Sequence, residues 1–246
     1  LVEPAPLSLP EPAPEPVVVP EPQPEPVPEA TPVAEPVERK PALVLPSLND
    51  SDEQVLDWLG AIPDSAAAPA PWLSWLVPKE LVRKMVLQVD NIRRGKYVRK
   101  YTPLSPPLAS FKLDPAYKSW PMDETLYSRY DLAADAWVTV DKKALAALYR
   151  DLSPLFEQAQ LELGLKPALS FDSALLAAID HLLEAPILEE PAILHRPRVL
   201  YQFKEPALES LSATHKLMLR MGPDNSRKLK QGLRELRTAL EESTPA

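Results

Sequence analysis

The sequence predicts a mainly α-helical fold. It reads as a single helical domain over residues 47–241, with a long proline- and aromatic-rich loop and room for one short β-hairpin. A disordered Pro/Glu-rich arm at 1–46 precedes this domain, and a short disordered tail at 242–246 follows it. Three observations predict this. Fifteen of the 32 prolines fall between Leu1 and Pro46. From Asn49 onward, apolar residues recur at helical spacing between recognisable caps. Of only five glycines, Gly95, Gly164 and Gly222 stand just past helix-like stretches, where a left-handed residue ends a helix.

The arm contains EPAPEPVVVPEPQPEPVPEATPVAEPVE. Proline fixes φ and lacks an N–H, and it pushes the residue before it toward extended backbone. Interleaved glutamates repel one another, so the expected state is an extended polyproline II-like rod. At ~3.1 Å per residue its contour approaches roughly 140 Å. Three readings follow: a spacer that holds the domain away from an anchor, a solubilising tail, or a ligand for a proline-binding module. The last lacks the basic or aromatic neighbours such modules read. The Glu-Pro repetition resembles, in composition, the periplasm-crossing segment of TonB-type energy transducers.

The arm carries eight Glu against Arg39 and Lys40, a net of −6. The whole chain is −8, which leaves only −2 for the remainder. The acidity therefore belongs to the arm, and the overall charge says little about what the domain touches. The absence of cysteine excludes disulfides, thiolate metal ligands and Cys nucleophiles. It also suits an oxidising compartment. No run of about 18 apolar residues is present. Leu1 in place of Met raises the expectation of a segment upstream, an anchor or signal.

Along the domain, Ser51 with Gln54 fits a capping box ahead of Val55, Trp58, Leu59 and Ile62. Pro78 suits the first position of a helix whose stripe is Leu81, Val82, Met85, Val86, Val89 and Ile92, with Gly95 as its stop. Asp141 caps a long helix ending at Gly164, in which Pro154 predicts a kink or break. Ser170 opens another with Phe171, Leu175, Leu176, Ile179, Leu182 and Leu183 inward. Arg198 to Phe203 alternates as a strand, with 112–114 as its candidate partner. Ser212 caps 214–221, Gly222-Pro223 breaks the chain, and Leu229, Leu233, Leu236 and Leu240 line a final helix. Between Tyr97 and Tyr130, five prolines and many aromatics predict a long ordered loop, a candidate site.

No nucleophile elbow, phosphate-binding loop or dinucleotide fingerprint occurs, so no cofactor is expected. Asp180, His181 and Glu184 share a helix face but lack the second motif a carboxylate metal centre needs, so no metal is expected. Ser212 and His215 are spaced as a cap and its first turn. Trp72 and Trp75 read either as an exposed aromatic platform or as a lid over the first helices. Two segments are locally basic: 79–100 has a net of +6 and 215–237 a net of +5. Clustered cations beside tyrosines suit polyanions, phosphates or sugars. The alternative is ordinary helix faces paired with acids elsewhere. If the two segments adjoin, the binding reading gains. The candidate contact residues are Arg83, Arg93, Arg94, Lys96, Arg99, Tyr101, Arg220 and Arg227.

Several runs together resemble one bacterial family. They are Leu45-Pro-Ser-Leu-Asn-Asp-Ser-Asp, Leu81-Val-Arg, Val89-Asp-Asn-Ile-Arg-Arg-Gly and Tyr127 to Tyr130. Further on come Asp180-His-Leu-Leu, Arg196-Pro-Arg-Val-Leu-Tyr, Pro206-Ala-Leu-Glu-Ser-Leu-Ser and Lys216-Leu-Met-Leu-Arg-Met-Gly-Pro. The family is that of domain of unknown function 3014, and the likeness spans about 45–240. Glu205-Pro206 departs mildly from the usual Asp-Pro. The resemblance implies an envelope protein with an N-terminal membrane anchor and brings no catalytic residue with it. The expectation is a non-enzymatic interaction module of the bacterial periplasm, anchored in the inner membrane by a segment upstream of Leu1. Its expected partner is an envelope protein complex, peptidoglycan or another anionic glycan, and not nucleic acid. The alternative is an enzyme of unfamiliar type near 97–135, using Asp131, Asp135 or His181.

Overall fold

The computed structural model describes residues 43–62, 71–105, 113–114, 116–165 and 169–242. The predicted arm, apart from 43–46, and the tail beyond 242 lie outside them. Leu43 and Leu45 already pack on the helical core.

Helix α1 (Ser51–Gly60) buries Val55 and Leu59. Its first turn differs from the expected capping box. Asp50 is the cap residue, but its carboxylate accepts from the Ser47 hydroxyl at 2.6 Å instead of capping the helix, and the Ser51 hydroxyl donates back to the Leu48 carbonyl at 3.0 Å. The neighbouring Asp52 serves the next helix instead. Its carboxylate accepts from the Glu80 and Leu81 N–H groups, each at 2.7 Å. Helix α2 (Leu81–Arg93) therefore starts three residues past Pro78, with Glu80 in the left-handed region at φ 54°. A carboxylate 28 residues upstream fixes this boundary. Leu81, Val82 and Val86 face inward, and α2 ends at Gly95 with φ +69°.

The predicted long loop carries more structure than its composition suggests. A 3₁₀ turn spans Arg99–Tyr101, and Leu104 bridges to Leu76. Strand β1 (Ser119–Pro121) and helix α3 (Glu124–Tyr127) follow, the latter capped by Asp123. A further turn, Ser128–Tyr130, leads into α4 (Asp131–Thr139).

Helix α5 (Lys142–Glu162) begins where Asp141 accepts from the Lys143 and Ala144 N–H groups. It runs unbroken past Pro154, because Leu152, Leu155, Phe156 and Ala159 are buried on both sides of the proline. Helix α6 (Phe171–Leu183) is capped by Ser170 as expected. The strand expected over 198–203 shrinks to β3 (Gln202–Phe203). It pairs with β2 (Ile193–His195) rather than with 113–114, and β2 pairs in turn with β1. Among the described residues this makes one antiparallel sheet of order β1-β2-β3, with Trp120 opposite Leu194 and Leu194 opposite Phe203. Helix α7 (Pro206–Glu209), α8 (Ala213–Met221, capped by Ser212) and α9 (Pro223–Glu242) complete the chain.

Three apolar clusters hold these elements. The first joins α1, α2, α5 and Phe171 of α6 around Leu81, Val86 and Phe156. The second lies under the sheet and contains Met122, Leu194, Phe203 and Leu219. The third joins α5, α6 and α9 through Ala146, Ile179, Leu233 and Leu240. The close α4–α9 contact passes at Gly232, where a Cβ would stand 2.3 Å from the Trp137 Nε1.

Candidate functional site

The eight candidate contact residues separate by what already occupies them. Arg83 on α2 forms a salt bridge with Glu162 at 2.9 Å and donates to Asn49 at 2.7 Å. Arg93 and Arg94 both engage Asp90, one turn back on the same helix; the Arg93 bond is 2.5 Å. Asp90 is only 6% exposed, so it is a buried carboxylate held by two guanidinium groups, and all three line a cleft of about 320 Å³. Val86, Leu165 and Phe171 form the apolar part of that cleft. Arg227 on α9 binds Glu189 at 2.5 Å and Asp224 at 2.7 Å. Arg220 points inward. Its guanidinium stands 5.1 Å over the Phe203 ring, and burial lowers its pKa against the pull of Glu209 and Tyr130.

Lys96, Arg99 and Tyr101 differ from these. Lys96 and Arg99 are exposed, and among the described residues neither forms an ion pair. They stand on a turn that the backbone fixes. Gly95 adopts the left-handed conformation, the Lys96 N–H donates to the Asn91 carbonyl at 2.9 Å, and the Tyr101 N–H to Val98 at 3.0 Å. The Gly95 carbonyl accepts from the Ala213 N–H at 3.0 Å, and a Cβ at Gly95 would meet that of Ser212 at 2.8 Å. The Lys100 ammonium sits 5.6 Å over the Tyr101 ring, and Tyr97 is 39% exposed beside them.

The first basic segment meets the residues just before the second, Ser212 and Ala213, at Gly95, but most cations of the second are turned elsewhere. Lys228 binds Asp135 at 2.5 Å, and Arg237 binds Asp180 and Glu241. Lys230 is buried and donates to the Leu183 and Ala185 carbonyls at 2.8 and 2.5 Å, closing the C-terminus of α6. Lys142 does the same for α4 through the Trp137 and Val140 carbonyls.

The polar cluster behind the Gly95 turn is built on histidine. The rings of His181 and His215 stack at 4.2 Å. The His181 Nε2 lies 3.1 Å from the Ser212 hydroxyl and 2.8 Å from that of Thr214, and the His215 Nε2 donates to the His181 carbonyl at 2.6 Å. Ser212 meanwhile accepts from the His215 N–H as the cap of α8. Burial and the neighbouring His215 lower the His181 pKa, against a smaller pull from Glu184. Asp180 faces Arg237 rather than this cluster. Asp131 accepts from Asn225 at 2.8 Å, and Asp135 holds Lys228. Among the described residues no bond joins either aspartate to His181, and no group of three or more metal-ligating side chains converges. Trp72 packs on the first apolar cluster, and Trp72 and Trp75 line an apolar cavity of about 250 Å³ with Met85 and Trp137. That is the lid arrangement rather than an open platform.

The sequence reading overlooked one surface, the loop between β2 and β3. Arg196, Tyr201 and His195 border a cleft of about 510 Å³ with Tyr117, Lys118 and Trp120. Its signal was present as Arg196-Pro-Arg-Val-Leu-Tyr, where Arg198 interrupts an otherwise strand-like pattern.

No described helix is long and apolar enough to cross a membrane. Neither a curated protein nor a solved structure shows significant similarity to the chain. The profile of one family, described as protein of unknown function (DUF3014), matches residues 81–237, from the start of α2 to the last turns of α9. That span is well over half of the sequence and takes in the Gly95 turn, the histidine cluster and the sheet, so the chain belongs to the DUF3014 family.

Proposed function

We propose that this domain is a non-enzymatic interaction module of the bacterial cell envelope that binds an anionic component through the turn at 94–101. The observation that carries the reading is the contrast in occupancy just described. Lys96 and Arg99 face solvent without an acidic partner among the described residues, on a turn held rigid from both sides, with Tyr97 between them and Tyr101 just beyond. A rigid display of unneutralised cations beside aromatic rings costs little ordering on binding and recognises carboxylate- or phosphate-bearing surfaces. Arg94, 47% exposed, borders the same patch. The Pro/Glu composition of 1–46 supports display at a distance from an anchor, in line with the envelope location that the family resemblance suggests. The partner classes that fit are the acidic stem peptides of peptidoglycan, another anionic glycan, or an acidic patch on an envelope protein complex.

The test is cosedimentation of the chain with purified peptidoglycan sacculi, together with retention on immobilised polyglutamate, across rising salt. Attraction between exposed charges is screened over about 10 Å at 0.1 M salt, so binding should fall steeply as salt rises. The Lys96→Glu/Arg99→Glu variant should abolish it. Retention on neither probe, or retention indifferent to this double reversal, would remove the turn from consideration.

A further inference from the structure

The loop joining β2 to β3 carries a second surface of a different kind. Val199 and Leu200 sit side by side at its tip, 75% and 74% exposed. Arg196 and Arg198 precede them, and Tyr201 follows. The loop is held in shape: the Arg196 Nε donates to the Val199 carbonyl at 3.1 Å, and its guanidinium lies 5.4 Å over the Tyr201 ring. Tyr201 in turn meets Trp120 edge-to-face at 5.4 Å, across the sheet from the loop. Pairing of Ser119 with His195 brings Tyr117 and Lys118 to the same side, with Tyr117 63% exposed. The cleft between the two segments has cationic and aromatic walls and, among the described residues, no carboxylate in its lining. Asp114, nearby in the chain, turns its carboxylate to the Ala116 N–H. Among the described residues neither Lys118 nor Arg198 forms an ion pair.

We propose that this loop docks the domain on an anionic phospholipid surface, with a headgroup phosphate against Lys118 and Arg196 in the cleft, Arg198 toward neighbouring headgroups, and the Val199 and Leu200 side chains among the acyl chains. The layering matches an interface. An aliphatic tip belongs in hydrocarbon, an exposed tyrosine ring such as that of Tyr117 favours the headgroup level, and cations favour an anionic leaflet. Two adjacent aliphatic side chains are too little for the apolar core of a stable protein–protein contact, which buries about 800 Å² on each partner. A lipid surface needs no such area, because each inserted side chain adds to binding separately. The residues are separate from those of the 94–101 turn, so this docking stands apart from the function proposed above.

The measurement is cosedimentation of the full chain with large vesicles of phosphatidylglycerol in phosphatidylcholine, against vesicles of phosphatidylcholine alone. The wild-type chain should partition onto the anionic vesicles at least about tenfold more strongly. Val199→Ser/Leu200→Ser leaves net charge unchanged and should weaken that partition at least about tenfold. Lys118→Glu/Arg198→Glu should erase the preference for anionic lipid, and Lys96→Glu/Arg99→Glu should leave it within about twofold. Free glycerol phosphate at millimolar concentration should not compete, because the headgroup alone lacks the apolar contribution. All substituted positions are exposed, and unchanged melting temperatures confirm that each variant is folded. The proposal is overturned if the wild-type chain ignores anionic vesicles. It is likewise overturned if Val199→Ser/Leu200→Ser binds as well as wild type, or if glycerol phosphate or polyglutamate displaces the vesicles. Loss of sacculus or polyglutamate binding in the Lys96→Glu/Arg99→Glu variant, with vesicle binding intact, would separate the two surfaces.

Discussion

The two basic segments have similar net charge, yet the structure uses them differently. Along α9 most cations are structural: Arg227, Lys228, Lys230 and Arg237 each close onto a carboxylate or a helix-terminal carbonyl, while Arg234 is exposed and forms no ion pair among the described residues. At the end of α2 the helix spends Arg93 and Arg94 on Asp90, and the turn beyond leaves Lys96 and Arg99 open. Net charge along a sequence therefore does not map a binding surface. What counts is which cations remain unneutralised and whether the backbone beneath them is fixed.

Variants that break or sharpen this contrast fall in order of expected effect. Leu81, the first residue of α2, is fully buried in the first apolar cluster, and Leu81→Ala should cost about 2–5 kcal/mol in chemical denaturation. Unfolding of this kind would remove every binding activity together, which marks the interior as scaffold. Asp90→Asn should cost about 1–3 kcal/mol, since the buried position loses its charge-assisted bonds. It would also release Arg93 and Arg94, so retention on polyglutamate should rise while stability falls. A drop in both would mean that Asp90 orders the turn rather than merely neutralising its neighbours. His181 gives a smaller effect with a defined direction. Its folded pKa lies below the ordinary value near 6.5, so the native state favours the neutral ring. Its contribution to stability is complete above the unfolded value and is lost as pH falls through the folded one. The wild-type melting temperature should therefore decline from about pH 7 toward pH 5, and His181→Gln should flatten that slope.

Much of the fold was legible because its signals are local. Asp141, Ser170 and Ser212 cap the helices they were expected to cap. Gly95, Gly164 and Gly222 all take positive φ, at +69°, +65° and +83°, at or just beyond helix ends. The apolar stripes of α2 and α9 face the clusters they build. Apart from the capping box at Ser51, whose hydroxyl turns back to Leu48, the misses are non-local. The N-terminus of α2 is set by Asp52, far back in the sequence, and so Pro78 misled. The partner of β3 was invisible because two- and three-residue strands carry too little alternation to rank partners. The candidate site was legible as a segment but not residue by residue. Arg83 meets Glu162 across 79 positions and Lys228 meets Asp135 across 93, and no spacing rule predicts such pairs. The Val199-Leu200 tip escaped notice for the same reason, since strand-like residues declare their exposure only once the sheet has formed.

The central claim is that unneutralised cations on the 94–101 turn, and not the basic segments as such, carry anion binding. Its most direct test is a matched pair of double reversals, Lys96→Glu/Arg99→Glu and Arg227→Glu/Lys228→Glu, which change net charge equally. Each is titrated against immobilised polyglutamate and purified sacculi at low salt. The account predicts that the first pair loses binding by at least about tenfold while the second stays within about threefold of wild type. Equal losses in both would show that overall charge governs the interaction, and the turn would have no special standing.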